Sequence, residues 1–270
     1  MNYRVLITEA VNEKGLELLR EQGYQLVMGT GPEEETLLRE CADCDGALTR
    51  NGKFSARVFD ACPNLKGVSM HGIGVDGIDV EAATARGIQV CNAAESNQRS
   101  VAEYAIGLIL MLAKQSVTYH NGLKSGQMAD VRKVYGSDVS GKTLGIIGMC
   151  NIGTQVARMA AHGLGMKVVG YSRRITRDQE MDFGVLTPDM KKVISGADYL
   201  SLHLPGTGST TKLLDAEKLS WLKPSAFLIN TGRGEVIDEA ALIRMLQEGR
   251  LRGAAMDVFE GNLPKEDNPL

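Results

Sequence analysis

An excess of charge of either sign is missing from this chain: 30 lysines and arginines face 33 aspartates and glutamates, a formal net charge of −3 at pH 7. That near balance gives no reason to expect a nucleic-acid partner. Long apolar runs are missing too. The longest, residues 104–113, falls far short of the ~20 residues that a membrane-spanning helix needs. The short apolar stretch at residues 5–7 is followed at once by Glu9, Asn12, Glu13 and Lys14, which is not the pattern of a secretion signal. No membrane partner and a cytoplasmic location are therefore expected. The five cysteines (Cys41, Cys44, Cys62, Cys91 and Cys150) are odd in number and scattered, which suits reduced thiols and excludes a full disulfide framework. Cys41 and Cys44 have Cys-x-x-Cys spacing, but no second pair and no nearby histidine completes a metal tetrad. The pair is read as helix surface, with a redox or metal role as the alternative. Aromatic residues are sparse at 5%, whereas glycines number 31.

What is present is ordinary globular composition, 43% hydrophobic and 23% charged, close to the soluble average. A length of 270 residues, at about 150 per domain, suggests two domains. Over residues 3–90 short β-branched runs alternate with helical stretches. Strands are predicted at 4–8, 24–27, 46–49 and 67–70, and helices at 12–21, 33–41 and 56–61, the first with Leu16, Leu18 and Leu19 inward. Such alternation builds a parallel sheet covered by helices, so residues 1–96 are taken as a first α/β domain. Residues 97–119 carry Val101, Ala105, Leu108, Leu112 and Ala113 at helical spacing, with Ser100 and Glu103 near the start. One helix of that length would be ~30 Å long, and it is read as a connector. Gly122, Gly126, Gly136 and Gly141 mark residues 120–142 as loop-rich. The second domain, 120–270, has predicted strands at 143–147, 167–171, 199–204, 226–230 and 254–259, and a helix at 152–162. Its strands are continuous apolar runs, as buried parallel strands are. The fold class is α/β, with a doubly wound parallel sheet.

Gly148-Met149-Cys150-Asn151-Ile152-Gly153 lies between a strand and a helix, where a dinucleotide-binding Gly-x-Gly-x-x-Gly turn belongs. The first glycine permits the turn, the second lets the backbone reach a pyrophosphate, and the third lets helix and strand pack closely. Here the second is Cys150, whose side chain is expected to intrude on the diphosphate. The helix start still offers unpaired N–H groups to an anion; a purely structural turn is the alternative. About 20 residues beyond the turn, where an acidic residue would bind a ribose 2′-hydroxyl and an arginine a 2′-phosphate, the chain reads Ser172-Arg173-Arg174. This favours NADP(H) over NAD(H), unless both arginines are only solvated surface charge.

Several linked motifs then resemble, in order, those of the D-isomer-specific 2-hydroxyacid dehydrogenases. They are His71-Gly72-Ile73-Gly74-Val75-Asp76 with Ile78-Asp79, Asn97 with Ser100-Val101-Ala102-Glu103, and Gly141-Lys142-Thr143-Leu144-Gly145-Ile146-Ile147-Gly148. His203-Leu204-Pro205, Asn230-Thr231-Gly232-Arg233-Gly234 with Asp238-Glu239, and Asp257-Val258-Phe259-Glu260 complete the set. The likeness spans nearly the whole chain. It implies a Rossmann domain holding a nicotinamide cofactor and a smaller, flavodoxin-like substrate domain closing over a 2-oxo or 2-hydroxy acid. By the same resemblance Arg233 grips the substrate carboxylate and polarises the carbonyl, a task that suits a guanidinium's parallel donors. Gly72, Ile73 and Gly74 present backbone amides to that carboxylate. Asp257 holds the nicotinamide amide, and Val101, Asn151, Ile152, His203, Leu204, Pro205, Thr231 and Gly232 line the cofactor. A surface-paired or helix-capping role is the alternative for Arg233, and a satisfied core histidine for His203. Arg50 and Lys53 stand where phosphoglycerate-type members hold a substrate phosphate, although Met70 stands where such members often carry arginine, and the two cations could simply face solvent. The resemblance also implies a homodimer through the long-helix region, where the apolar residues 106–112 serve equally well as core.

The pattern also breaks at the acid–base pair. The glutamate that pairs with the family's acid–base histidine corresponds to Asn262, and the histidine itself falls past Leu270; His71 is the sole histidine near the substrate loop to replace it. The family's last strand and closing helix also fall past Leu270, which would leave a sheet edge open. The chain is read either as part of a longer enzyme or as a short relative without catalysis. Its expected function is hydride transfer between NAD(P) and a small 2-oxo or 2-hydroxy acid, slowed by ~10² to 10⁴ if the acid–base group is lost; a non-catalytic, nucleotide-responsive binding module is the alternative.

Overall fold

The structure, a computed structural model, describes residues 3–261, 264 and 266–270. The chain divides into two units, Met1–Asn97 and Gln98–Leu270.

In the first unit strands and helices alternate strictly: β1 (Arg4–Ile7), α1 (Glu13–Glu21), β2 (Gln25–Met28), α2 (Glu34–Glu40), β3 (Gly46–Thr49), α3 (Ala56–Ala61), β4 (Gly67–Met70), α4 (Val80–Ala85) and β5 (Gln89–Asn92). The strands form one parallel sheet in the order β2-β1-β3-β4-β5. The Asn12 side chain caps α1 at the Lys14 amide, and Asp79 caps α4 at the Ala82 amide, each satisfying an N–H that the helix itself leaves open. The core gathers Leu6, Leu37, Phe54, Val58, Phe59, Val68 and Met70. Two expectations fail here. Leu18 is 59% exposed while Leu16 is buried, because two positions along a helix turn about 200° around its axis. Cys41 and Cys44 are fully buried, not on a helix surface. Helix α2 ends at Glu40, so both thiols fall in the turn that folds back toward β3, and they pack with Cys62 as small apolar groups.

The second unit begins with α5 (Gln98–Ala113), α6 (Ser116–Lys124) and α7 (Met128–Val131). The single helix expected over 97–119 is thus two, bent by 63°, because Gln115 adopts a left-handed conformation with φ 53° that no α-helix can contain. Helix α5 is core of this unit and not a free connector: Ala102, Ala105, Leu108, Ile109 and Ala113 pack with Val156, Ala157 and Ile229. Among the described residues no single helix is long and apolar enough to cross a membrane. There follow β6 (Thr143–Ile147), α8 (Asn151–Arg158), β7 (Lys167–Tyr171), β8 (Gln179–Met181), β9 (Gly184–Thr187), α9 (Met190–Gly196), β10 (Tyr199–Leu202), α10 (Ala216–Leu219), β11 (Phe227–Asn230), α11 (Glu239–Gln247) and β12 (Gly253–Met256). The helix expected to reach residue 162 leaves the α form at Arg158 and closes in a π turn over Met159–Gly163.

Seven strands form the second sheet in the order β12-β11-β10-β6-β7-β9-β8. All pairs are parallel except β8 with β9, so the expected wholly parallel sheet carries an antiparallel edge. Strand β8 is three exposed residues with no apolar alternation, which is why its sequence gives no strand pattern. The central β10 and β11 are buried at every position; β12 forms the opposite edge.

Candidate functional site

The chain runs outward from β6 to β7 on one side and later returns to place β10 on the other. Open α/β sheets bind ligands in the crevice outside the carboxyl ends of the strands at such a reversal. Residues at and just past the ends of β6, β7 and β10 line an open cavity of about 250 Å³ there, among them Gly148, Cys150, Ser172, Arg173, Arg174, His203, Leu204 and Pro205, together with Tyr171, Met190 and Leu213.

The turn after β6 is built on two positions with no room for a side chain. Gly148 has φ +103°, and a Cβ on it would lie 2.4 Å from the His203 carbonyl oxygen; a Cβ on Gly153 would lie 2.2 Å from the Gly148 oxygen. Cys150, between them, is extended (φ −84°), a conformation any residue accepts. Its thiol donates to the His203 carbonyl at 3.4 Å and does not cap α8. The amides of Asn151, Ile152 and Gly153, which open the helix, therefore have neither an intrahelical acceptor nor a side-chain cap, the arrangement that receives an anion. The expected intrusion of Cys150 is thus reduced to a thiol turned onto a neighbouring carbonyl. Glycine-tight backbone, uncapped amides and exposed arginines together fit a phosphate-bearing nucleotide.

Past β7, Ser172 donates its amide to Thr187 O at 3.0 Å and its hydroxyl accepts from the Arg174 amide at 3.3 Å. Arg173 and Arg174 are exposed at the cavity. Past β10, His203 is buried, with Nε2 2.9 Å from Ser201 Oγ and Nδ1 3.3 Å from Thr231 Oγ1. Burial lowers its pKa from 6.5 to about 4, so the ring is neutral and satisfied by protein partners even as it borders the cavity.

The turn after β11 is organised by buried Asn230, whose side chain accepts from the Gly232 amide at 3.0 Å and donates to the Arg233 carbonyl at 2.9 Å. Arg233 is half-buried and donates from Nη1 to the Gly232 carbonyl at 2.8 Å. Thr231 connects this turn to the cavity through His203. Asp257 follows β12 with its amide on Asn230 O at 3.0 Å and its side chain exposed. Val101 is half-buried on α5; like Asp257, Asn151, Ile152 and the Thr231-Gly232-Arg233 turn, it lies outside the cavity lining. Asn262 lies outside the described residues.

In the first unit the loops after β3 and β4 are tied by the His71 amide on Thr49 O at 2.7 Å. Gly72 and Ile73 turn their carbonyls onto the Ala93 amide (2.9 Å) and Asn92 Nδ2 (2.7 Å). Gly72 to Val75 are half-buried, and His71, Arg50 and Lys53 are exposed, whereas Met70 is buried in the core. Sequence reasoning missed Glu9. This half-buried carboxylate accepts from the Arg50 amide (3.0 Å), the Asn51 amide (2.7 Å) and Asn51 Nδ2 (2.7 Å). Burial raises its pKa, but the bonds from Asn51 and Arg50 outweigh that and leave it below the usual value. Its one sequence signal was an acidic residue immediately past the first strand.

Strand-end loops around a cavity at a sheet reversal define a class, the α/β proteins that hold a ligand in the crevice outside their strand ends. Residues 106–270 match the family described as D-isomer specific 2-hydroxyacid dehydrogenase, NAD binding domain, and the chain belongs to that family of NAD(P)-dependent oxidoreductases. It is 38% identical over 269 residues to a D-3-phosphoglycerate dehydrogenase of Methanocaldococcus jannaschii, covering 99% of this chain and 51% of that protein. The chain thus spans about half the length of that relative. It is 34% identical to a glyoxylate reductase of Korarchaeum cryptofilum, covering 100% of this chain and 83% of the relative. A crystal structure of an NADPH-dependent glyoxylate/hydroxypyruvate reductase from Sinorhizobium meliloti, in complex with NADP and malonate, superposes with a TM-score of 0.85 at 33% identity, covering 98% of this chain and 82% of that one.

Proposed function

We propose that this chain binds NADP(H) in preference to NAD(H) and uses it to interconvert a small 2-oxo acid and its 2-hydroxy acid. The observation that carries the reading is the coincidence, at one sheet reversal, of the glycine-tight turn, the uncapped start of α8 and the Arg173-Arg174 pair. The second sheet is then a doubly wound Rossmann sheet, and the first, in the order β2-β1-β3-β4-β5, follows the flavodoxin-like order. The amides of Asn151, Ile152 and Gly153 receive the diphosphate, with Cys150 beside it. Ser172, Arg173 and Arg174 hold the 2′-phosphate. His203, Leu204 and Pro205 shape the wall; Val101, Thr231 and Gly232 extend the cofactor site beyond the cavity, and Asp257 orients the carboxamide.

When bound, the cofactor supplies a hydride. The protein's part is to hold the acid: Arg233 takes the carboxylate through two parallel bonds and polarises the carbonyl, its backbone fixed by Asn230. In the first unit, Gly72, Ile73 and Gly74 offer backbone amides to an acid anion, and Arg50 a cation. A homodimer through α5 and α6 belongs to the same proposal, supported by the exposure of Tyr104, Met111, Val117 and Leu123. Sedimentation of the full chain tests it.

Calorimetric titration with NADPH and NADH, followed by NADPH oxidation with glyoxylate and hydroxypyruvate, tests the function. NADPH binding tighter than NADH is expected, with turnover of a 2-oxo acid slow or absent. Brisk turnover would show that an acid–base group is in place after all, and NADH bound as tightly as NADPH would remove the cofactor preference.

A further inference from the structure

The first sheet also reverses its order, between β1 and β3, and the crevice outside the carboxyl ends of those strands is its own ligand position. Glu9 stands just past β1, Arg50 and Asn51 just past β3. The Glu9 carboxylate bridges that crevice, accepting from the amides of Arg50 and Asn51 and from Asn51 Nδ2 at 3.0, 2.7 and 2.7 Å. The rest of the turn is held as firmly. Buried Thr49 accepts from the Gly52 amide at 2.8 Å and from the Thr8 hydroxyl at 2.9 Å, and a Cβ on Gly52 would fall 2.3 Å from Thr49 Oγ1. The Lys53 amide bonds to Pro32 O at 3.1 Å, and Phe54 is fully buried. The backbone is thus fixed at every residue from 49 to 54, while the side chains of Arg50 and Lys53 remain exposed. A charged receiver attached to a fixed loop gives up less freedom on binding than one attached to a mobile loop.

We propose that Glu9 is a positioning residue for the anionic substrate: by filling the amide pair of Arg50 and Asn51 it fixes the turn that presents the Arg50 guanidinium to the acid. This inference rests on the reading of Arg50 as a substrate residue. Glu9 itself need touch no substrate atom.

The test uses the full chain and the variants Glu9→Ala, Glu9→Gln and Arg50→Ala. Amide exchange at Arg50 and Asn51 is followed by NMR, and the affinities for NADPH and, with NADPH present, for hydroxypyruvate by calorimetry. Glu9→Ala is expected to speed exchange at both amides and weaken hydroxypyruvate about tenfold, as loss of bonds to a charged group does, with NADPH affinity unchanged. Glu9→Gln, which keeps one oxygen for the two amides, is expected to fall between it and the unaltered protein; if Glu9→Ala does not fold, Glu9→Gln alone must show both changes. Unchanged hydroxypyruvate affinity in both Glu9 variants beside a weakened Arg50→Ala overturns the role of Glu9 and leaves that of Arg50 standing. Unchanged affinity in Arg50→Ala overturns the reading of Arg50 and the inference with it.

Discussion

Replacing His203 by glutamine tests how the wall of the cavity is held together. The imidazole is buried between Ser201 and Thr231, and burial takes its pKa from 6.5 to about 4. A group folded in its neutral form is stable as such only while the unfolded chain is neutral as well. As pH falls through 6.5 the unfolded state takes up a proton that the native ring refuses, so stability declines; below about 4 the native ring is protonated too and the loss stops. At ~1.36 kcal/mol for each pK unit between 6.5 and about 4, the loss amounts to about 3 kcal/mol. Glutamine fills much of the same space and cannot titrate. Urea denaturation of both proteins at half-unit intervals from pH 7 to pH 4 is the assay. The stability of the unaltered protein should fall about 3 kcal/mol further than that of His203→Gln over this interval. Curves that run parallel across it would refute the argument, since they would mean that the ring is protonated or solvated in the native state.

Three further outcomes are expected. Gly148→Ala places a Cβ 2.4 Å from a backbone oxygen at φ +103°, and strain with overpacking should cost about 3 kcal/mol in urea denaturation; a loss below about 1 kcal/mol contradicts the geometry. Replacing both Arg173 and Arg174 by alanine should weaken NADPH roughly a hundredfold, about tenfold for each solvent-screened charge-assisted contact, and leave NADH nearly untouched; equal losses for both cofactors would remove the 2′-phosphate assignment. Arg233→Lys keeps the charge but loses the planar fork, so calorimetry should show at least tenfold weaker binding of a 2-oxo acid with NADPH affinity intact.

Much of the fold was legible because buried strands leave an unmistakable pattern. The runs at 46–49, 67–70, 143–147 and 167–171 coincide with β3, β4, β6 and β7, each of which buries apolar side chains in a parallel sheet. What escaped notice depended on tertiary context. Nothing local announces that Gln115 turns left-handed and breaks the long helix. The exposed Gln179–Met181 joins a sheet only because β9 is beside it. Cys41 and Cys44 look like the surface of a helix until the helix ends at Glu40, one residue before the first of them. In the candidate site the glycines could be read because Gly148 and Gly153 serve backbone geometry. Glu9 could not, since its partners Arg50 and Asn51 lie 41 and 42 residues away.

Nucleotide binding at the start of α8 underlies every role proposed for the second unit. Titrating the isotope-labelled full chain with NADPH while following its backbone amides by NMR tests this most directly. Saturable shifts concentrated at Asn151, Ile152, Gly153 and the Ser172-Arg173-Arg174 segment are predicted; binding that leaves those amides unmoved, or no binding at all, contradicts it.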